Sequence, residues 1–132
     1  MSQLRVFSDV PLKASSIIGT RVVNPEGENL GDIKEIVIDP RSGRVAYAVV
    51  SFGGFLSVGE KLFAIPFAAL EYSVPKKNLA PSKLIQNQYV LDVAKARLEA
   101  APGFDSDHWP LMTDEKWHRS LHDYYKRSPY WE

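Results

Sequence analysis

Two histidines four residues apart, His118 and His122, are the residues whose spacing comes nearest to chemistry. On a helix they share one face. Asp105, Asp107 and His108 stand just upstream. Neutral imidazoles with a carboxylate can bind zinc or nickel. The run His118-Arg119-Ser120-Leu121-His122 lacks the glutamate beside the first histidine that zinc proteases use. A metal site also needs more ligands than this spacing guarantees. The plainer reading, a solvated or aromatic-packed pair, is preferred, and no metal or other cofactor is expected.

The other constellations are weaker. Gly53-Gly54 and Gly59 bound a loop, but it lacks the Gly-Lys-Ser/Thr ending of a phosphate loop and no helix follows it. Its Phe55, Leu56 and Val58 either form a partner-binding tip or plug the end of a small barrel. Glu26, Glu28, Asp32 and Glu35 sit in turns or on strand faces among other charges, where solvation is the simpler fate. Ser15, Ser16, Ser51 and Ser57 have no base partner or nucleophile elbow. Lys76, Lys77 and Lys83 make a small basic patch, too sparse for an RNA surface. No catalytic residue is expected. The tail carries Phe104, Trp109, Trp117, Tyr124, Tyr125, Tyr130 and Trp131. So many aromatics are costly in water, so they pack either on the outer wall of their own domain or on that of a second copy.

Composition narrows the classes further. A chain of 132 residues, 45% apolar and 24% charged, suits one domain with an appendage. Zero formal net charge gives no global pull toward nucleic acid or anionic membranes. With no cysteine there is no disulfide framework, thiolate metal site or thiol nucleophile. No apolar run suggests a signal peptide or a membrane helix. A cytoplasmic protein without membrane insertion is the expectation.

The elements are organised around residues 30–54. Leu30 to Asp39 and Arg44 to Phe52 read as two strands of a hairpin, joined by Asp39-Pro40-Arg41-Ser42-Gly43. The second strand is apolar on both faces: Val45, Tyr47 and Val49 on one, Ala46, Ala48, Val50 and Phe52 on the other. A small barrel has one inside, so the tail or a second subunit must cover the outside. Around the hairpin, residues 1–13 read as a loose arm in which Leu4, Val6 and Phe7 could dock. Residues 20–23 and 61–65 read as strands. Residues 67–70 read as a helical turn or strand edge, and Tyr72 to Ser82 as a loop. Lys83–Ile85 and Gln88–Leu91 read as a last strand pair. Asp92 is expected to cap a short helix from Ala94 to Ala100, ended by Pro102-Gly103. Thr113 is expected to cap a second helix reaching about Lys126, with Trp117, Leu121 and Tyr124 as its apolar stripe. Strands first and helices after imply α+β rather than alternating βαβ.

The ordered set Gly19, Val22, Gly27-Glu28, Leu30-Gly31, Ile33, Ile36-Val37-Ile38-Asp39, Gly43, Val45, Tyr47-Ala48-Val49-Val50, Gly53-Gly54-Phe55-Leu56, Gly59, Lys61 and Ile65-Pro66 resembles the PRC-barrel family. That family takes its name from the cytoplasmic part of the photosynthetic reaction centre H subunit and also occurs in ribosome-maturation factors. The resemblance implies a mainly β, α+β fold: a six-strand-like small barrel over residues 12–92. An N-terminal arm (1–11) precedes it and a helical, aromatic-rich extension (93–132) follows. It implies a non-catalytic docking or assembly module, often self-associating. Partner contacts are then expected at Tyr47, Phe55, Leu56, Val58, Trp109, Trp117, Tyr124 and Trp131. The partner is itself, as a homodimer, or an unidentified protein. The alternatives by analogy are an RNA- or ribosome-associated maturation factor and a regulator of a membrane electron-transfer complex.

Overall fold

The computed structural model describes residues 5–7, 11–52, 61–75 and 87–127. Phe55, Leu56, Val58, Lys83–Ile85 and Trp131 lie outside the described residues.

The hairpin forms as its turn chemistry dictates. Strands β3 (Asn29–Ile38) and β4 (Val45–Phe52) pair antiparallel. The Asp39 N–H donates to Arg44 O at 2.8 Å and the Gly43 N–H to Asp39 O at 2.8 Å. The Asp39 carboxylate accepts from the Arg41 N–H at 3.0 Å and the Ser42 hydroxyl at 3.0 Å. These hydrogen bonds, the backbone one first, hold its pKa below the usual carboxylate value. Gly43 takes φ +76°, as the turn requires.

The described strands form one sheet in the order β1-β6-β7-β2-β3-β4-β5. The further strands are β1 (Arg5–Phe7), β2 (Arg21–Val23), β5 (Lys61–Pro66), β6 (Leu70–Pro75) and β7 (Gln88–Leu91). Pairing is antiparallel throughout except between β2 and β7. A short helix α1 (Ala14–Ile17) precedes β2, and a 3-10 turn, Phe67–Ala69, joins β5 to β6.

Two expectations change here. The arm is not loose at Arg5–Phe7: this stretch adds β1 to the edge of β6, with Val6 opposite Val74. An extended Val-Phe pair beside a strand edge gains ladder hydrogen bonds that a free arm lacks. The expected loop from Tyr72 is strand as far as Pro75, which can close a strand because it has no N–H to offer beyond it. With β1 and β6 counted, the described residues hold seven strands in one sheet.

β4 is buried on both faces, as its composition demands: Ala46 to Val50 are all 3% exposed or less. Val50 lies opposite Ile33 and Phe63, and Ala48 opposite Ile36 and Ile65, so these residues share the inner face. Tyr47 and Val49 point the other way. Two glycines permit close approach of backbones. At Gly31 (φ +124°) a Cβ would lie 2.1 Å from Ser51 O. At Gly103 it would lie 2.9 Å from Leu62 O, and there the chain returns to bond the β5 edge. The Leu62 N–H donates to Phe104 O at 2.7 Å and the Phe104 N–H to Leu62 O at 2.9 Å.

The extension holds helices α2 (Lys95–Glu99) and α3 (Glu115–Tyr125). Asp92 does not cap α2. Ala94 holds that position without a side-chain bond, because the chain is still turning at Val93, whose N–H bonds Leu91 O. On α3 the cap is Asp114 rather than Thr113, its carboxylate accepting from the Trp117 N–H at 3.2 Å.

Two outcomes are expected. Gly31→Ala should cost at least ~2 kcal/mol in chemical denaturation, since a left-handed φ and a backbone clash act together. Burial pushes the Tyr89 phenol up from 10.0 to about 12, helped by Tyr72. A group whose folded pKa lies above its unfolded one loses its stabilising contribution as pH rises. Alkaline melts should therefore show stability falling between pH 10.0 and about 12, less steeply in Tyr89→Phe.

Candidate functional site

The outer face of β4 meets α3, and the junction is aromatic. Tyr47 is fully buried. The His118 ring stacks on it at 5.4 Å between centroids and 15° between planes. Trp117 and His122 approach the same ring at 5.7 and 5.5 Å, tilted. The Tyr47 hydroxyl lies 2.5 Å from His118 Nδ1. His118 Nε2 lies 2.7 Å from the Met112 carbonyl, which can only accept. The proton therefore sits on Nε2, and Nδ1 accepts from the Tyr47 hydroxyl. By the same logic His122 Nδ1 carries a proton and donates to His118 O at 2.8 Å.

The expected stripe of α3 is corrected by this arrangement. The residues facing the sheet are His118, Leu121, His122 and Tyr125, while Trp117 and Tyr124 are half-buried beside them. Hydropathy misplaces the stripe by about one residue because two imidazoles occupy core positions. They do so at no polar cost, each having a tautomer that its neighbours satisfy.

A second clasp ties α3 to α2. Arg97 donates to Tyr124 O at 2.6 Å, and the Tyr124 hydroxyl donates to Arg97 O at 2.6 Å. The guanidinium lies 4.3 Å from the Tyr124 ring centroid. The Tyr125 hydroxyl, by contrast, is buried and has no hydrogen-bond partner among the described residues. Burial above all pushes its pKa up, with Tyr124 adding to the effect and Arg97 opposing it.

The sequence-derived site residues thus divide. Tyr47 lies beneath its own chain's helix, so its contact surface is spent within the chain. Trp117 and Tyr124 keep one side toward solvent. Trp109 is 39% exposed and packs on Phe104 at 5.0 Å. Leu111 and Met112 are also exposed, 74% and 42%, and were not singled out by sequence; two apolar side chains in a short bridge carry no periodic signal. His108 pairs with Asp105 at 2.6 Å on the surface, and this pair, the side-chain hydrogen bond first, holds the Asp105 pKa low. Among the described residues no three His, Asp or Glu side chains gather as metal ligands. A cleft of about 370 Å³ opens beside His122, lined by Arg44, Val45, Pro66 and Phe67. Among the described residues that line it there is no carboxylate.

Two substitutions separate these roles. Tyr47→Phe leaves buried His118 Nδ1 without its donor and should cost about 1–3 kcal/mol in thermal or urea unfolding. Tyr125→Phe removes an orphan hydroxyl and should leave stability unchanged or raise it by up to about 1 kcal/mol.

Comparison with known proteins agrees with the fold. A model of the PRC-barrel domain matches residues 11–89, more than half of the chain. No curated protein matches it. Together with the hairpin-centred sheet, that match shows that this chain belongs to the PRC-barrel family.

Proposed function

We propose that this chain is a non-catalytic interaction and assembly module that works as a homodimer in the cytoplasm. The observation that carries the reading is the set of exposed apolar side chains on the extension. Trp109, Leu111 and Met112 stand exposed in the bridge, and Trp117 and Tyr124 keep partly open faces on α3. The same extension already covers the outer wall of β4, so its inner side is spent and its outer side remains. Large apolar side chains left exposed in one short stretch are candidates for a contact site. PRC-barrel domains serve in interaction and assembly and are generally non-catalytic, which fits a site without acid–base pairs. Among the described residues no helix is long and apolar enough to cross a membrane. Phe55, Leu56, Val58 and Trp131 are further docking candidates on chemical grounds, as large apolar residues.

Light scattering coupled to size exclusion tests this directly. The expected mass is twice that of the 14.9 kDa chain, falling toward one chain on dilution. Leu111→Asp combined with Met112→Asp should weaken association while leaving the melting temperature in place. A single-chain mass at every concentration, with no protein partner retained, would overturn the proposal.

A further inference from the structure

We infer that the outward side of α3 is the self-association surface, with a second copy of this chain docked antiparallel along it. This rests on the homodimer reading above and gives it a geometry.

Burial divides α3 into two sides. His118, Leu121, His122 and Tyr125 face the sheet. Lys116, Ser120 and Asp123 are exposed, and Trp117 and Tyr124 lie half-buried along the border. At 3.6 residues per turn, Trp117, Ser120 and Tyr124 line one narrow seam, and Lys116 and Asp123 lie together on its flank. The seam has a large ring at each end and a small hydroxyl in the middle.

That pattern is self-complementary under a two-fold axis near Ser120. Trp117 then meets the partner's Tyr124, and Ser120 faces the partner's Ser120. A small residue at the crossing lets two helices approach closely. Lys116 then reaches the partner's Asp123, and the symmetry makes this ion pair twice. Parallel docking places Lys116 and the partner's Asp123 on opposite sides of the seam and at different heights, so it offers no such pair. Neither residue makes an ion pair among the described residues, unlike Arg119, which pairs with Glu115. The charges that an antiparallel copy needs are thus present, exposed and on the correct side. Leu111 and Met112, just ahead of α3 in the chain, are exposed as well.

Charge reversal tests the geometry. Lys116→Glu alone and Asp123→Lys alone each place two like-charged contacts in the dimer, and each should raise its dissociation constant about ten-fold. An equimolar mixture of the two variants should recover wild-type affinity, because every contact is again opposite in sign. Circular dichroism and melting of each variant check that these exposed substitutions leave the fold intact. A second measurement uses the absence of cysteine from the chain. Ser120→Cys should form a disulfide-linked dimer under mild oxidation, whereas Arg21→Cys, remote from α3, should not. If the wild-type protein is dimeric but indifferent to both reversals, and Ser120→Cys does not cross-link, the dimer uses another surface and this inference falls while the homodimer reading stands. A monomeric wild type removes both.

Discussion

The buried contact between the Tyr47 hydroxyl and His118 Nδ1 is the constraint on which the extension depends. It joins the centre of the central strand to the first turns of α3 across an otherwise apolar junction. A phenol at full burial needs a partner, and an imidazole in a sheet-facing position needs its tautomer fixed. Each meets the need of the other. The Met112 carbonyl then holds the far side of the ring, and His122 hangs from the His118 carbonyl. Docking of α3 is therefore specified by direction as well as by grease: a helix rotated by one residue on the sheet loses the bond between Tyr47 and His118.

Covering the outer wall in this way changes what the aromatic tail is for. The surplus apolar surface of β4 is satisfied within the chain, and so cannot by itself demand a second subunit. In the homodimer proposed above, the contact lies one layer further out, on the far side of α3 and on the bridge before it. There the side chains are fewer and the rim is charged, which suits an interface formed between folded copies rather than an obligate merger of two cores.

Much of this was legible in the sequence, and the failures have physical causes. Asp39-Pro40-Arg41-Ser42-Gly43 prescribed its turn because each residue has a local job that needs no tertiary help. The two apolar faces of β4 correctly demanded two covers. The loss of alternation could not say which cover lay outside, since a helix of the same chain and a helix of another bury equal area. α3 was placed to within a residue or two, but its inner face was misassigned. Hydropathy ranks histidine as polar, and only the positions of Tyr47 and the Met112 carbonyl make the core rank correct. Asn24 was hidden for a similar reason. It reads as a turn residue, yet it is 1% exposed and bonds both Glu28 and, at 3.4 Å, the Val93 carbonyl, tying the first turn to the start of the extension.

The most direct measurement is an isotope-filtered nuclear Overhauser experiment on a mixture of labelled and unlabelled chains. It reports whether the Tyr47 ring sees His118 and Trp117 of its own chain or of another. An α3 that packs on its own sheet predicts strong ring-to-ring effects within labelled chains and none in the filtered, interchain spectrum. Interchain effects between Tyr47 and His118 would mean that the helices are exchanged between copies, and would contradict the account.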